Sequence, residues 1–448
     1  MKRSAWRYLW KSEDIRKKLL ITLLLLVLYR FAANIPVPGI NRDVIAQVVQ
    51  SGGATGTLFG LLDLLSGGTI SNFSILAMGV YPYITAQIIL QLLVPIIPAL
   101  ERRIKENPRE GQKWMERWTI ILTIPMALLS AIGQINIFQS LATQGSVLNY
   151  QYGFIGGDLL PTLTTIVSMM AGTMFGIWLG QLISEFGIPN QGLSLIIFAG
   201  IVSRMPSALL GLLSDQQNGW WLLILMLVIL ALTIFAIVFV QQGRRHVPVL
   251  FPGRRMGNRM SMPVRSNLPL MVNMAGMIPL IFAQSLLVFP AIVAGFFLNS
   301  GTEWIANLAN GIYTTFSGTG IVYSLMYFIM IVAFTFFYTD VLFAQQNYGD
   351  TLKRQGAQIP GVARGAPTQR YLTRVQRRIT LPGAIFLGLV AVLPYVLNIF
   401  LPPVAQQAGL FIISAAGLLI VVGVVRDTFT IIETELKLHG YDESLIKG

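Results

Sequence analysis

The 448-residue chain has no cysteine, which excludes a disulfide framework, a thiolate metal site and a cysteine nucleophile. Histidine is nearly absent: His246 and His439 both fall in polar segments, and no His/Glu cluster has metal-ligand spacing. Charge is scarce, at 11% Asp, Glu, Lys and Arg, too little to cover a soluble globule of this length. The sequence also lacks a G-x-x-x-x-G-K-[ST] loop, so any energy for its work comes from a partner. A cleavable leader is not expected. Met1 to Lys18 is polar and basic, and the apolar run after it leads into charged and proline-containing sequence without an A-x-A site, so that run reads as a retained helix.

Hydrocarbon is what the chain has in excess, with 54% hydrophobic residues and a mean hydropathy of +0.66. These values predict an all-α polytopic membrane protein. Ten apolar segments stand out, at about 19–36, 73–99, 118–139, 159–184, 192–213, 219–241, 268–297, 320–346, 380–400 and 407–426. Of the 32 Lys and Arg, 29 fall in five clusters: seven before the first span, six over Arg102 to Arg117, six over Arg244 to Arg265, seven over Lys353 to Arg378, and three from Arg426 onward. Every cluster falls in an alternate gap, so the positive-inside rule predicts an even number of spans with both termini cytoplasmic. The net charge of +13 follows from that topology alone, and anionic lipid heads attract such loops. The stretches 241–267 and 345–379 are longer than a turn requires and mix Arg with Pro, Gly, Tyr and Phe. That composition also suits docking to an acidic partner, ribosomal RNA included.

The stretch from Asn72 to Glu101 organises the rest. It has spanning length, yet it carries Pro82, Gln87 and Gln91 in its interior, where a lipid-facing helix carries only hydrocarbon. Val80, Ile84, Gln87 and Gln91 follow one another at spacings of four, three and four, which puts them on one helical face. That face reads as the lining of a passage. Just before it, the half-length apolar run Thr57 to Ser71 breaks at Gly67-Gly68 and is too short to span, as expected for a re-entrant segment.

The chain divides near Asp215 to Gly219 into a first half, 1–214, with spans one to five, and a second, 215–448, with spans six to ten. An odd number of spans per half gives the halves opposite orientation, the arithmetic of an inverted repeat. Such repeats put the working site near the midplane among broken or proline-containing helices. Pro82 in the second span, and Asn273 to Gly276 followed by Pro279 in the seventh, are the expected interruptions.

Reactive groups in the spans are few: Arg30, Arg204 and Asp340, all near span ends. Asp340, in FFYTDVL, looks like half an aspartyl-protease pair, but no second intramembrane Asp in a G-x-G-D setting accompanies it. No enzyme is expected and no cofactor is implied. A secondary transporter of an amphipathic solute is the rival reading, because inverted repeats and broken helices are its hallmark. Against it, carriers of small solutes usually hold intramembrane charges.

The string SILAMGVYPYITAQIILQLL, preceded by LLSGGTISNF, resembles the second span and plug of the SecY family, the pore subunits of protein-conducting channels. RFAANIPVPGIN at Arg30 to Asn41, GTMFGIWLGQLISEFGIPNQGLSLIIFAGI at Gly172 to Ile201, LPLMVNMAGMIPLIFAQSLLVFP at Leu268 to Pro290 and FTFFYTDVLF at Phe334 to Phe343 agree in the same order, so the resemblance covers nearly the whole chain. It implies ten helices in two inverted five-helix halves around a central pore, with a re-entrant plug helix. The implied function is passage of unfolded polypeptides across a prokaryotic plasma membrane, or a thylakoid-type membrane, with sideways release of apolar spans into lipid.

The residues implied by the resemblance are specific. The pore ring is Val80, Ile84, Leu193, Ile197, Ile281 and Ile420. Branched aliphatic groups bind no ion and dewet a constriction, although aliphatic residues at helical spacing equally fit lipid-facing or packed positions. GIPNQGLS at Gly187 to Ser194 is one residue longer than the family's GIGNGIS, which bears on the register at Leu193. The plug is Leu58, Phe59, Leu61, Leu62, Leu64, Leu65, Gly67 and Gly68; an ordinary extracytoplasmic loop is its alternative. The lateral gate is Gln87, Gln91 and Asn273, bonding between the second and seventh spans or acting as packing glue. Partner docking falls to Arg244, Arg245, Arg254, Arg255 and Arg364, the last sitting one place later in PGVARG than in the family's PGIRPG. The implied partners are SecE-like and SecG-like subunits, the SecA motor, the ribosome with its RNA, signal peptides, nascent chains and anionic lipids.

Overall fold

Inside a bilayer, backbone polar groups have no water to bond, so a chain this apolar satisfies them within helices. A computed structural model describes residues 13–41, 44–45, 69, 73–100, 102, 108–141, 146–153, 158–189, 191–213, 219–252, 255–256, 259–260, 264–295, 297, 302–316, 320–400 and 415–438. Its helices are α1 (Glu13–Ala32), α2 (Tyr81–Ile96), α3 (Pro108–Leu141), α4 (Leu159–Phe186), α5 (Gly192–Leu213), α6 (Gly219–Gln242), α7 (Ile278–Gly295), α8 (Glu303–Phe316), α9 (Ile321–Gln346), α10 (Tyr348–Arg354), α11 (Ala366–Phe400) and α12 (Ala415–Leu438). Between α6 and α7 lie β1 (Arg244–Phe251), β2 (Arg255–Met256), β3 (Arg259–Met260) and β4 (Val264–Met271). Each expected span contains a helix, and the fold is that of an all-α polytopic membrane protein. Among the described residues, five helical stretches are long and apolar enough to cross a membrane: Glu110–Asn136, Leu159–Phe186, Leu223–Gln242, Ile321–Arg354 and Ala366–Val396.

Several boundaries differ from the sequence expectation: α1 runs over Glu13–Ala32 and not 19–36, α3 starts at Pro108 and not near 118, and α12 continues to Leu438 past 426. Three further differences have a clear physical reason. The second span starts at Tyr81, not near 73, and the seventh at Ile278, not near 268, because a glycine of positive φ turns the chain just before each helix. Pro82 and Pro279 are therefore the second residues of their helices, where a missing N–H costs nothing, and neither interrupts a helix. The ninth span starts at Ala366 instead of near 380. Its added turns bury Thr368, Leu372, Gln376 and Ile379 and turn Arg370, Arg374, Arg377 and Arg378 outward. That amphipathic pattern is helical, but hydropathy alone does not register it. The stretch expected as loop over 241–267 is largely a hairpin, with β1 pairing antiparallel to β4 from Arg244↔Met271 to Phe251↔Val264. In a two-stranded hairpin each strand has an outer edge, so Pro248 and Pro269 break no interior ladder.

The chain forms two compact units. The first comprises described residues of Met1–Leu227, Ser285–Ser324 and Pro394–Gly448. In it α4 is the common neighbour of α1, α3 and α5; α2 packs on α3, and α5 on α12. Ala127, Ala131, Ile135 and Phe138 line one face of α3 in its main core, where the Phe138 ring meets Phe73 edge-on at 4.9 Å and 88°. Lipid tails are as apolar as these side chains, so close van der Waals packing, more than exclusion of water, holds them together. Outside the helices, the Tyr150 hydroxyl shares a 2.6 Å hydrogen bond with Thr165. Burial pushes its pKa up, against the lowering effect of that bond.

The second unit comprises described residues of Val228–Gln284 and Leu325–Leu393. Its polar end packs Val247, Val249 and Leu270 of the hairpin with Phe343, Leu352 and Leu372 of α9, α10 and α11. In the first unit, α5 begins against α4 so closely that a β-carbon on Gly192 would strike the Gly180 carbonyl. Gly192→Val is expected to cost about 1–3 kcal/mol through overpacking, read as a lower unfolding midpoint of the purified protein. Gly311→Ala on α8, where nothing lies within 4 Å, is expected to be neutral or to gain about 0.5–1 kcal/mol. An unchanged midpoint for Gly192→Val would disprove the close approach.

Candidate functional site

Two elbows set the site residues. In the first, Ala77 to Ile84 reads AMGVYPYI; in the second, Met274 to Ile281 reads MAGMIPLI. Gly79 has φ 52° and Gly276 has φ 64°, and each stands two residues before its helix. Proline follows three residues later in both, as the second helical residue. The first helical bonds correspond as well: the Ile84 N–H donates to the Val80 carbonyl at 3.1 Å and the Ile281 N–H to the Met277 carbonyl at 3.4 Å. The sequence reading did not notice this repeated G-x-x-P-x-I string. Aligning the two halves on Gly79 and Gly276 would have found it.

Each elbow is non-helical backbone at an apolar helix end, so its polar groups need partners within its own unit. In the first unit, the Val37 N–H bonds the Phe73 carbonyl at 3.2 Å and the Ile75 N–H the Ile35 carbonyl at 2.9 Å, while Leu76, Ala77 and Met78 are fully buried. In the second unit, the Val272 N–H bonds the Gly243 carbonyl at 2.9 Å, and Gln376 Nε2 donates to the Met271 carbonyl at 3.1 Å. Asn273, expected within the seventh span, lies in this elbow instead. Its Nδ2 donates to the Gly276 carbonyl at 3.1 Å, and its Oδ1 is buried with no partner among the described residues.

Of the expected ring, Val80, Ile197, Ile281 and Ile420 are buried and Ile84 and Leu193 half-buried. Ile197 and Ile420 stand on α5 and α12, which pack on each other. Leu193 fills the space over Gly180 of α4, with Cδ2 at 2.7 Å from where a β-carbon there would stand. Gln87 and Gln91 are half-buried on α2. The expected plug residues Leu58, Phe59, Leu61, Leu62, Leu64, Leu65, Gly67 and Gly68 lie outside the described residues.

The expected docking arginines belong largely to one body. Arg244 and Arg245 are exposed on β1, and Arg364 is exposed just before α11, between Gly361 and Gly365. Arg255 lies on β2, and Arg254 is outside the described residues. The two basic stretches, read as separate in the sequence, are tied by reciprocal backbone bonds between Leu250 and Gln358 at 2.8 and 2.9 Å. Arg370, Arg374 and Arg378, which the sequence reading did not single out, extend the basic surface along α11 at helical spacing. Asp340 is held by Arg377, with Nε at 3.1 Å from Oδ1 and Nη2 at 2.8 Å from Oδ2. This bidentate pair replaces the look of half a catalytic dyad with an exposed ion pair of modest energy.

The elbow geometry makes a test. No atom lies within 4 Å of a β-carbon on Gly276, so its substitution is limited by φ alone. Gly276→Ala is expected to cost about 1 kcal/mol and Gly276→Asn less, since asparagine tolerates that region. Unfolding midpoints that rank Ala above Asn would contradict the turn.

A family model described as SecY matches residues 74–429. The Protein translocase subunit SecY of Chlamydia trachomatis is 37% identical over 454 aligned residues, which cover 98% of each chain. That of Aquifex aeolicus is 36% identical, with 96% of each chain covered. A solved structure described as "The structure of a protein conducting channel" superposes with a TM-score of 0.62 at 17% identity, covering 98% of this chain and 99% of that one. Another, described as "Sec61 in the Canine ribosome-channel complex from the endoplasmic reticulum", does so with a TM-score of 0.59 at 17% identity and the same coverage. The secondary-transporter alternative finds no support among these relatives. Sequence likeness along the whole chain and the shared fold agree: the chain belongs to the SecY family of protein-conducting channels.

Proposed function

We propose that this channel passes unfolded polypeptides through an apolar waist formed by Val80, Ile84, Leu193, Ile197, Ile281 and Ile420, and releases apolar spans sideways past Gln87, Gln91 and Asn273. The observation that carries the reading is the matched offset of Ile84 and Ile281, each five residues after a positive-φ glycine and held by the same first helical bond. The repeated string also supports division of the chain into inverted halves, 1–214 and 215–448. Branched aliphatic groups at a waist exclude ions by dewetting, yet deform around a passing chain. The segment 57–71 is its plug. No catalytic step is assigned, and motive force comes from a partner.

The basic body of the second unit is the proposed docking face for a SecA-like motor and for the ribosome with its RNA, through Arg244, Arg245, Arg254, Arg255 and Arg364. One relative of the same fold is described as a ribosome-channel complex. SecE-like and SecG-like subunits complete the assembly, signal peptides and nascent chains are its cargo, and anionic lipids meet its basic segments. The membrane is a prokaryotic plasma membrane, with both termini cytoplasmic, as the alternation of basic clusters supports.

Depletion of the protein tests the function: a signal-bearing precursor is expected to accumulate unexported, and unchanged export together with unchanged membrane insertion would refute the reading. The waist has its own test. Replacing Ile84, Ile197, Ile281 and Ile420 together by Ser is expected to open an ion leak in reconstituted bilayers with no substrate present. Polar substitution at the exposed Leu24 is expected to stay tight. A folded, inserted ring variant as tight as the parent would remove these residues from the constriction.

A further inference from the structure

The connection between α7 and α9 contains no lysine or arginine, since none stands between Arg265 and Lys353. Within it, α8 presents three faces at helical spacing. Ala309 and Tyr313 are buried in a core shared with Val288, Ala291 and Ala294 of α7, and Ile312 and Phe316 pack against it. Glu303, Asn307, Asn310 and Thr314 make an exposed polar face. Between these two faces lie Trp304 and Leu308, one turn apart and 68% and 52% exposed. This flank is apolar and unpacked, and the packed face fixes its direction.

Both ends of α8 are tied to span ends. Only residues 298–302 separate it from Phe297 and only 317–320 from Ile321, so neither end stands far from a span. At those span ends Val293, Phe297, Ile321 and Val322 are exposed and apolar, as residues that meet lipid are. The Trp304 flank lies along the chain between them. We propose that α8 lies in the outer headgroup region of the bilayer, with Trp304 and Leu308 inserted among the lipids and the Glu303 to Thr314 face in water. An indole is amphipathic and concentrates at headgroup level. A flank two side chains wide is too small for a stable protein interface, which takes about 800 Å² per partner. With no cation on the helix, the attraction is apolar and independent of lipid charge. Because α8 shares a core with the C-terminal half of α7, its insertion holds that end of α7 at a constant depth. The choice of leaflet rests on the proposed cytoplasmic termini, whereas insertion itself does not.

The cysteine-free chain makes a direct test possible. A spin label on L308C, in the full chain in phosphatidylcholine liposomes, is expected to be reached more readily by oxygen than by a water-soluble nickel chelate. A label on N307C, on the polar face, is expected to show the opposite order. Adding phosphatidylglycerol is expected to leave both orders unchanged. W304S in the L308C protein is expected to shift the label towards the chelate and W304Y to shift it less, because tyrosine is also an interface residue. Thermal midpoints report that each variant is folded. The proposal fails if L308C meets the chelate as readily as N307C, if its order depends on phosphatidylglycerol, or if W304S leaves it unmoved. It fails also if L308C is shielded from both agents, which would mean that a second copy of the chain covers the flank. The leaflet is read separately: a membrane-impermeant maleimide added to intact cells is expected to label N307C. No labelling would overturn the outer placement and leave the channel function untouched.

Discussion

The apolar part of this chain answers to one constraint, that a backbone N–H or C=O left unpaired in hydrocarbon costs several kcal/mol. Straight helices meet it automatically. The two elbows do not, and each is fastened in its own unit by backbone from elsewhere. The 35–37 segment bonds Phe73 and Ile75 in the first, and Gly243 with the Gln376 amide bonds the segment 271–272 in the second. Irregular backbone is tolerated at membrane depth where protein or a water-filled cavity covers it. The burial of Leu76, Ala77 and Met78 and of Ala275 satisfies that condition. Short helices α2 and α7 are the consequence, since the residues that would lengthen them are used in the turns.

The polar end of the second unit follows a different logic, because there water is available and shape has to be imposed. A two-stranded hairpin is marginal alone. Here Val247 and Val249 pack with Leu352 and Leu372, and the Leu250–Gln358 bonds join the hairpin to the segment before α11. The arginines on this body are displayed by fixed backbone, which is what phosphate recognition by a planar guanidinium requires. Gln369 has a structural part in this display. With one end on Gly349 and the other, at 3.4 Å, on the Phe343 carbonyl, it fixes the rotation of α11.

Much of this was legible in the sequence, and the limits were physical. Spans such as 159–184 and 219–241 announce themselves as long apolar stretches without a charged residue, and helices stand there. Hydropathy fails where a segment is apolar but not helical, as over 73–80, and where it is helical but not apolar, as over 366–379. The first failure hides an elbow, because Gly79 and Pro82 read equally well as a break in mid-helix. The second hides the arginine stripe, because alternating Arg with Thr, Leu and Gln resembles a solvated loop until its period is counted. The residues expected as a plug and Arg254 lie outside the described residues, and the ring assignment rests on resemblance, since periodicity alone does not separate a waist from a packed face.

The repeated G-x-x-P-x-I string shows what fixes the height of an isoleucine within a membrane. The side chain does not choose its own level. Gly79 and Gly276 turn the chain at positive φ, the proline three residues on pre-sets helical φ, and the first i to i+4 bond then closes on the isoleucine N–H. Position is therefore set by the elbow and not by the isoleucine side chain. In the proposed waist this separates position from seal chemistry: an aliphatic of another size at Ile84 or Ile281 leaves the turn in place, whereas a side chain on the glycine strains it at positive φ.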